Sequence, residues 1–307
     1  MSTQWKTIKP SDILTSKQSH QLRQRSDIWG FWLIAHCWIL IAGAMLLYAY
    51  YPSIYTLILG IIIVGGRQLG LAVLMHEGSH GMLFRTRQLN ERLTQWFTAW
   101  PVILNVYAYR VRHMAHHRFT RTDKDPENYL YTPFPVAKSS MLRKVLRDLT
   151  GIVFFRTTLG IFRFLWGESK GRSTRLLGFY SGPILFNTLM VAGFAAIGRI
   201  DLYLLLWLLP MATTYQLFLR IRNIAEHATM PSLENPLQNS RTTYAGLFER
   251  LTVAPYFVNF HVEHHLLPYV PCYRLPAIHK IMLEQGLGPK MEIRQNYAEV
   301  LRLNASA

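Results

Sequence analysis

Four long apolar stretches constrain the fold of this 307-residue chain more than any other feature of its sequence. They run over about Ile28–Tyr50, Ser53–Met75, Leu176–Gly198 and Asp201–Leu219. Each has roughly 20 residues, the length at which an α-helix crosses the hydrocarbon core of a bilayer. Only a helix or a closed barrel satisfies its backbone polar groups inside lipid. We therefore predict four transmembrane helices in an all-α, polytopic membrane protein.

The stretches come in two pairs, and a loop of only a few residues joins the members of each pair. Pro52 lies in the first of these loops, where its missing N–H costs little. Pro210 lies inside the fourth stretch and predicts a kink there, which a helix packed among other helices tolerates. The sequence therefore predicts two helical hairpins.

The basic residues predict how these hairpins are oriented. Of the 33 Lys and Arg residues, five precede residue 28, 17 lie between residues 76 and 175, and nine follow from residue 220 onward. If the hairpins form, all of these lie on one side of the membrane, which the positive-inside rule identifies as cytoplasmic. Both termini and the long middle segment are then cytosolic. The net charge of +16 does not indicate a nucleic-acid partner, because the sequence has no groove-reading motif.

Nine of the twelve histidines predict a metal site. Eight form the clusters His76-Glu-Gly-Ser-His80, His113-Met-Ala-His116-His117 and His261-Val-Glu-His264-His265, and the ninth is His227. Spacings of three and four residues place side chains on one face of a helix. Imidazole is a common ligand of transition metals, and nine imidazoles are too many for one ion. We therefore predict a two-metal centre.

The predicted hairpins place all nine histidines on the cytoplasmic side, just beyond a span or in the segments that follow. His76 and His80 continue the helix of the second span, and His227 follows the fourth span by about two turns. The other clusters then close over these helices as a cytosolic helical cap that carries the metal site. His20, His36 and His279 lack such a context. Because no internal repeat or flexible linker is visible, we interpret residues 1–307 as one integral-membrane domain.

Other polar and reactive residues of the sequence are compatible with more than one role. The segments Leu89–Val106 and Met141–Trp166 mix basic with aromatic and aliphatic residues, which is typical of helices in the headgroup plane or of a soluble cap. Arg67, inside the second span, could bind a headgroup, structure the helix bundle or snorkel to the interface. Cys37 and Cys272 have no disulfide or ligand spacing, so we interpret both as packing residues.

The three histidine boxes resemble those of the membrane fatty acid desaturase and hydroxylase family. The resemblance extends from roughly Ile28 to His279 and includes both hairpins and the stretch Asn259-Phe-His-Val-Glu-His-His-Leu-Leu-Pro. It implies a non-haem centre of two iron ions at the cytosolic membrane surface, with O2 as co-substrate. The implied iron ligands are His76, His80, His113, His116, His117, His227, His261, His264 and His265.

The stearoyl-CoA branch of the family adds an asparagine that reaches the metal through water, four residues before its histidine. Asn223 has this position relative to His227, so the resemblance gives it the same role. The first box here has three residues between its histidines, where some relatives have four. The division of ligands between the two irons therefore stays open.

On this resemblance we expect an oxygen-dependent lipid desaturase that removes hydrogens from an acyl chain and forms a C=C bond. The alternative is a hydroxylase or ketolase of the same family, acting on a carotenoid, an alkane or another lipid. No catalytic residue beyond the di-iron centre is expected. Carboxylates in or beside the boxes, Glu77, Glu226, Glu263, Asp123 and Asp125, are candidates to hold the imidazoles in place, whereas Glu127 is better interpreted as a solvated loop charge.

Two other classes of protein remain open. The residues from His76 to His80 match the His-Glu-x-x-His pattern of zinc proteases, with Glu77 as general base, but seven further histidines are then unexplained. A membrane metal carrier would place its ligands inside the spans along a translocation path. The predicted positions of the histidines beyond the spans disfavour this.

The expected partners are a membrane lipid or acyl substrate and a separate electron donor. The sequence contains no cytochrome b5-like His-Pro-Gly-Gly stretch, so electrons are expected from a ferredoxin or a cytochrome b5-like protein. An acidic donor would dock on the basic cytosolic face around Arg143, Lys144 and Arg147. We expect the bacterial inner membrane as the location, with the endoplasmic reticulum as the alternative.

Overall fold

A computed structural model of the chain describes residues 8–166 and 170–305. Its α-helices are α1 (Pro10–Ile13), α2 (Ser16–Leu22), α3 (Asp27–Tyr50), α4 (Ile54–Ser79), α5 (Arg87–Thr94), α6 (Val106–Phe119), α7 (Lys138–Leu149), α8 (Ile152–Trp166), α9 (Lys170–Ala196), α10 (Ile200–Tyr203), α11 (Leu209–Ala212), α12 (Thr214–His227), α13 (Leu247–Leu251), α14 (His261–Leu266), α15 (Leu275–Glu284) and α16 (Tyr297–Asn304). Two short strands, β1 (Thr242–Thr243) and β2 (Ile293–Arg294), pair in parallel.

Four helical segments are long and apolar enough to cross a membrane, namely Asp27–Tyr50, Ile54–Ser79, Gly178–Ala196 and Ile200–His227. They coincide with the four predicted stretches, and connections at residues 51–53 and 197–199 join them into two hairpins. Large apolar side chains stay exposed along them, as at Ile39, which is 61% exposed. Extended apolar surface of this kind is typical of a membrane-facing protein. The prediction of an all-α membrane protein with four spans is confirmed.

The fourth span is interrupted around Pro210, as predicted. A π-helical turn at Leu204–Leu208 precedes the proline, and the backbone breaks at Thr213, whose φ is −123° and ψ is −87°. Proline has no N–H to donate, and its ring clashes with the carbonyl four residues earlier. A π turn is a common way to absorb such a defect. The segments α10, α11 and α12 therefore form one kinked span that ends at His227.

The central helix of the fold is α4, which packs against α3, α6 and α12. Two glycines allow its neighbours to approach closely. A Cβ at Gly65 would lie 2.1 Å from Oγ1 of Thr214, and one at Gly66 would lie 2.2 Å from the carbonyl oxygen of Leu251. Small residues at such contacts are typical of packing between membrane helices. This packing holds α4 beside α12, and these two helices carry His76 and His227.

Arg67 is a structural residue of the helix bundle. It is only 2% exposed, its Nη2 donates to the carbonyl oxygen of Arg250 over 2.7 Å, and its guanidinium lies 5.6 Å from the centre of the Tyr256 ring. The side chain therefore does not snorkel to the interface. Of the three roles left open by the sequence, the structure supports the structural one. Cys37 and Cys272 are also buried and free, as predicted.

Both segments predicted to be amphipathic fold as more than one helix. Leu89–Val106 spans the end of α5, a π turn at Gln95–Ala99 and a 3-10 turn at Trp100–Val102, while Met141–Trp166 covers most of α7 and all of α8. Apolar side chains remain exposed in both, including Trp96 at 52% and Phe155 at 65%. An interfacial position agrees with this exposure and stays a prediction.

Candidate metal centre

Four helices bring the nine clustered histidines into one region of the molecule. The residues are His76 and His80 at the end of α4, His113, His116 and His117 on α6, His227 at the end of α12, and His261, His264 and His265 on α14. As predicted, the helices of the second and fourth spans continue to His80 and His227. The helix α6 begins where Asn105 caps it by accepting hydrogen bonds from the N–H groups of Tyr107 and Ala108.

One group of five histidines could hold a metal ion. Its members are His76, His80, His113, His117 and His264, each of which offers a nitrogen within 4.8 Å of the others. The Nε2 atom of His113 lies 3.0 Å from that of His80 and 3.0 Å from that of His117. The Nε2 atom of His264 lies 3.1 Å from that of His117. The imidazoles of three different sequence clusters thus converge on one point.

A second group of four lies beside the first. The ring nitrogens of His116, His227 and His265 lie within 4.8 Å of one another. His261 joins them, because its Nε2 is 2.9 Å from that of His227 and 3.1 Å from that of His265. The Nε2 atoms of His116 and His227 are 3.2 Å apart. The nine histidines therefore divide into five and four, a division that the sequence left open.

The geometry fits metal ions better than a hydrogen-bonded histidine core. Both ring nitrogens of His76 and the Nδ1 of His261 are buried without a hydrogen-bond partner in the described part of the chain. Buried polar atoms without partners are costly and rare in folded proteins. Nitrogens about 3 Å apart also suit neighbouring ligands on an ion with metal–nitrogen bonds of about 2.0–2.1 Å. The role of each histidine as a ligand stays a prediction.

The histidines outside the spans are held in the form that binds metals. Burial lowers the pKa of His80 to about 3 and that of His117 to about 2. Burial, followed by the charges of neighbouring histidines, also lowers the pKa of His113 well below its ordinary 6.5. A metal binds the neutral imidazole. These rings therefore do not have to lose a proton before binding an ion at neutral pH.

Asp125 holds one histidine of the four-residue group in place. It is 5% exposed and accepts a hydrogen bond from Nδ1 of His116 over 3.0 Å, and it also accepts one from the hydroxyl of Tyr131. Burial raises the pKa of Asp125, but the hydrogen bonds from His116, from Tyr131 and from the backbone N–H of Arg121 together lower it more, to about 2. The proton on Nδ1 leaves Nε2 free to face the other histidines.

Glu263 has a different role, because it contacts a histidine outside the nine. Its carboxylate accepts hydrogen bonds from Oγ1 of Thr242 over 2.6 Å and from Nδ1 of His279 over 2.5 Å. His279 also lies 3.0 Å, through Nε2, from the hydroxyl of Tyr244. These contacts fix α14 against α15 and β1. The sequence did not predict this role for His279, which no short-range spacing connects to the boxes.

The remaining carboxylates lie at greater distances from the rings. Glu77 accepts a hydrogen bond from the N–H of Cys272 over 3.0 Å and is 3.4 Å from Nδ1 of His76. That contact ties Glu77 to the backbone, which does not favour the protease interpretation. Asp123 is exposed. Glu127 is not simply solvated, since its side chain is 18% exposed and lies 3.5 Å from Nε of Arg112.

A cavity of about 240 Å³ opens beside both histidine groups. Its wall includes His113, His227 and Asn223 together with apolar residues such as Met75. Asn223 precedes His227 by one helical turn and lines the same cavity, and its water-mediated role stays a prediction. The arrangement can bring a substrate next to both candidate metal positions.

Comparison with known proteins gives one consistent relationship. The model of the fatty acid desaturase family matches residues 52–297. The chain is 28% identical to a dihydrorhizobitoxine desaturase of Bradyrhizobium elkanii, over 74% of this chain and 67% of that protein. It is 25% identical to a β-carotene ketolase of a Paracoccus species, over 81% of this chain and 88% of that protein. It is 23% identical to an sn-1 oleoyl-lipid 12-desaturase of a Picosynechococcus species, over 76% of this chain and 67% of that protein.

Proposed function

Because this chain belongs to the fatty acid desaturase family and is an oxidoreductase, we propose that it is an oxygen-dependent desaturase of a lipid acyl chain. In this proposal two iron ions are bound by the groups of five and four histidines. Asn223 completes the site through a water molecule. No other side chain of the protein takes part directly in the chemistry.

One observation carries the proposal, namely the two adjacent groups of buried imidazoles. A single structural ion would need about four ligands, and these groups offer nine. Nitrogen ligands without competing thiolates suit iron among the common transition metals. A bound iron pair supplies the capacity to activate dioxygen and to remove hydrogen from an unactivated C–H bond.

Hydrogen-bond partners within the protein orient two of the histidines proposed as iron ligands. Asp125 holds the His116 ring through Nδ1, and the carbonyl oxygen of Asn239 lies 3.3 Å from Nδ1 of His227. Both contacts leave Nε2 as the ligand atom. Met75 and Leu104 also line the cavity, and their apolar side chains suit the hydrocarbon part of a substrate.

A hydroxylase or ketolase is the second candidate, and the similarity to a β-carotene ketolase favours it. The histidine groups serve both reactions equally well. What differs is where the substrate carbon lies during hydrogen removal, so the product decides between the two.

We further propose that the histidine groups and both termini face the cytosol of a bacterium, with the enzyme in the inner membrane as one domain. The counts of Lys and Arg on the two sides of the spans support this orientation. A ferredoxin or a cytochrome b5-like protein supplies the electrons and docks near Arg143, Lys144 and Arg147. The exposed Arg143 and Arg147 on α7 suit an acidic partner.

The test is a comparison of lipids from cells that produce the wild-type protein, the His116→Ala variant or the His20→Ala variant. His20 is exposed and lies far from the site in sequence, so that variant is the matched control. The proposal predicts new double bonds with wild type and His20→Ala and none with His116→Ala. Hydroxylated or keto products alone would assign the second candidate function instead.

A further inference from the structure

Several polar side chains that the proposed chemistry does not use line the cavity beside the histidine groups, and Arg222 and Tyr215 are two of them. Arg222 is 8% exposed and Tyr215 is 6% exposed, and both line the cavity. The Nε of Arg222 donates to Oε1 of Glu226 over 2.6 Å. Within the described residues, no other hydrogen bond of the guanidinium and none of the Tyr215 hydroxyl is present. The guanidinium of Arg222 and the hydroxyl of Tyr215 can therefore still form hydrogen bonds with a molecule bound inside the cavity.

Helical geometry aligns these two groups with the candidate metal positions. Tyr215, Arg222 and Glu226 lie on α12 at spacings of seven and four residues, so they share one face. His227 follows at the end of the same helix and lines the same cavity. A molecule that contacts Arg222 is therefore already next to the histidines.

The chemistry of a guanidinium indicates which group it would bind. Arg222 has five N–H donors, and its contact with Glu226 uses only the one on Nε. A guanidinium edge matches the two oxygens of a carboxylate, and a phenol hydroxyl can add a third hydrogen bond. Burial makes such an interaction strong, because water does not compete.

The size of the cavity limits the length of the carbon chain that can be bound together with the carboxylate. A cavity of about 240 Å³ is smaller than the roughly 300–1,000 Å³ of most ligand pockets, so it suits a small molecule better than a long acyl chain. The exposed Tyr129 marks the rim, where any longer tail would have to leave the cavity.

We propose that the substrate is a small free carboxylic acid whose carboxylate binds Arg222 and Tyr215 and whose carbon chain fills the rest of the cavity. The proposal rests on the desaturase function and narrows its substrate from acyl lipids in general to free acids. An acyl group joined to a bulky headgroup or carrier lacks the carboxylate and cannot place that end inside.

The test measures binding alone, by equilibrium dialysis of radiolabelled hexanoate with the iron-loaded enzyme in the absence of oxygen. Hexanoate has about the size that the cavity admits, and hexanamide is its neutral counterpart of the same shape. Wild-type enzyme is expected to bind hexanoate at least about tenfold more tightly than hexanamide, since hydrogen bonds to charged groups are the stronger ones. Equal binding of the two, or no binding of hexanoate, overturns the proposal.

Variants locate the contact. Arg222→Gln is expected to weaken hexanoate binding by about 10- to 100-fold, and Tyr215→Phe by several-fold. Arg220→Gln is the matched control, because Arg220 is on the same helix and pairs with the buried Asp148 over 2.8 Å, outside the cavity. It is expected to bind hexanoate as wild type does. The iron content of each variant is measured as well, to check that the metal site is intact.

The double variant Arg222→Gln/Glu226→Gln separates binding from structure, since it leaves no unpaired buried charge. Loss of hexanoate binding in the double variant supports the proposal, whereas recovery would show that the ion pair is only structural. If hexanoate binds as expected but no tested acid acquires a double bond, the desaturase function fails while the binding site stands. If only intact glycerolipids are bound, the narrowing of the substrate fails and the desaturase function is unaffected.

Discussion

Asp125 accepts a hydrogen bond from Nδ1 of His116 over 3.0 Å, and both side chains are almost completely buried. The other nitrogen of the same ring faces Nε2 of His227, 3.2 Å away. One carboxylate therefore sets both the tautomer and the direction of a candidate iron ligand. The backbone helps to hold it, because the N–H groups of Arg121 and Glu127 also donate to Asp125.

The variant Asp125→Asn should bind iron more weakly. It keeps the size of the side chain but removes the charge that favours a proton on Nδ1 of His116. We expect iron affinity to fall by about 10- to 100-fold, as is usual when the hydrogen-bond partner of a ligand is replaced. Competition with a chelator measures this. The exposed Asp123, changed to Asn, is the control, and equal affinity of the two variants would contradict the role of Asp125.

The variant Arg67→Ala should destabilise the helix bundle without changing the iron site directly. It removes a buried side chain and its hydrogen bond to the carbonyl oxygen of Arg250. We expect a loss of about 2 kcal/mol, seen as a lower unfolding midpoint in detergent. The exposed Arg85, changed to Ala, is the control. An unchanged midpoint for Arg67→Ala would mean that its buried contacts contribute nothing.

Removing the charges of Arg143, Lys144 and Arg147 together should slow electron delivery. Docking of an acidic donor depends on long-range attraction, which salt also screens. We expect the triple Gln variant to need more donor for half-maximal turnover and to lose most of its sensitivity to salt. Lys280 and Lys290, both changed to Gln, provide a control on other parts of the chain. Turnover that does not depend on salt in the wild type would rule out this docking mode.

The iron-free protein should lose stability as the pH falls below about 6.5. Folding lowers the pKa of His80 from 6.5 to about 3 and that of His117 to about 2, so the unfolded chain binds protons that the folded chain does not. Protonation of the unfolded chain therefore costs no stability above about pH 6.5. The free energy of unfolding decreases as the pH falls from 6.5 towards the lowered pKa values. Unfolding midpoints at several pH values measure the slope. In the double variant His80→Gln/His117→Gln, the unfolding midpoint should fall less steeply with decreasing pH than in the wild type. An equal fall in the two proteins would contradict the lowered pKa values of His80 and His117.

Much of the fold and of the histidine site could be predicted from local patterns. Runs of apolar residues long enough to cross a membrane depend on neighbouring residues alone, and so does the histidine spacing of three and four within α6 and α14. The kink at Pro210 could also be predicted, because proline has no N–H group for the helix hydrogen bond. Each of these features is decided within one helix.

Features that depend on contacts between distant segments could not be predicted. The partner of Arg67 is 183 residues away, and the division of the histidines depends on contacts such as that between His117 and His264. His279 contacts Glu263, and Arg222 lines the cavity, only because α15 and α12 pack beside the site. No short-range pattern distinguishes these residues from ordinary surface or core positions.

The most direct test of the central claim is the iron content of the purified, active enzyme, together with variants in each histidine group. We predict about two irons per chain in the wild type and about one in both His264→Ala and His227→Ala, since each variant damages a different group. The exposed His20, changed to Ala, should leave the value at two. Active enzyme without iron, or with one iron that only one of the two variants removes, would contradict the paired centre.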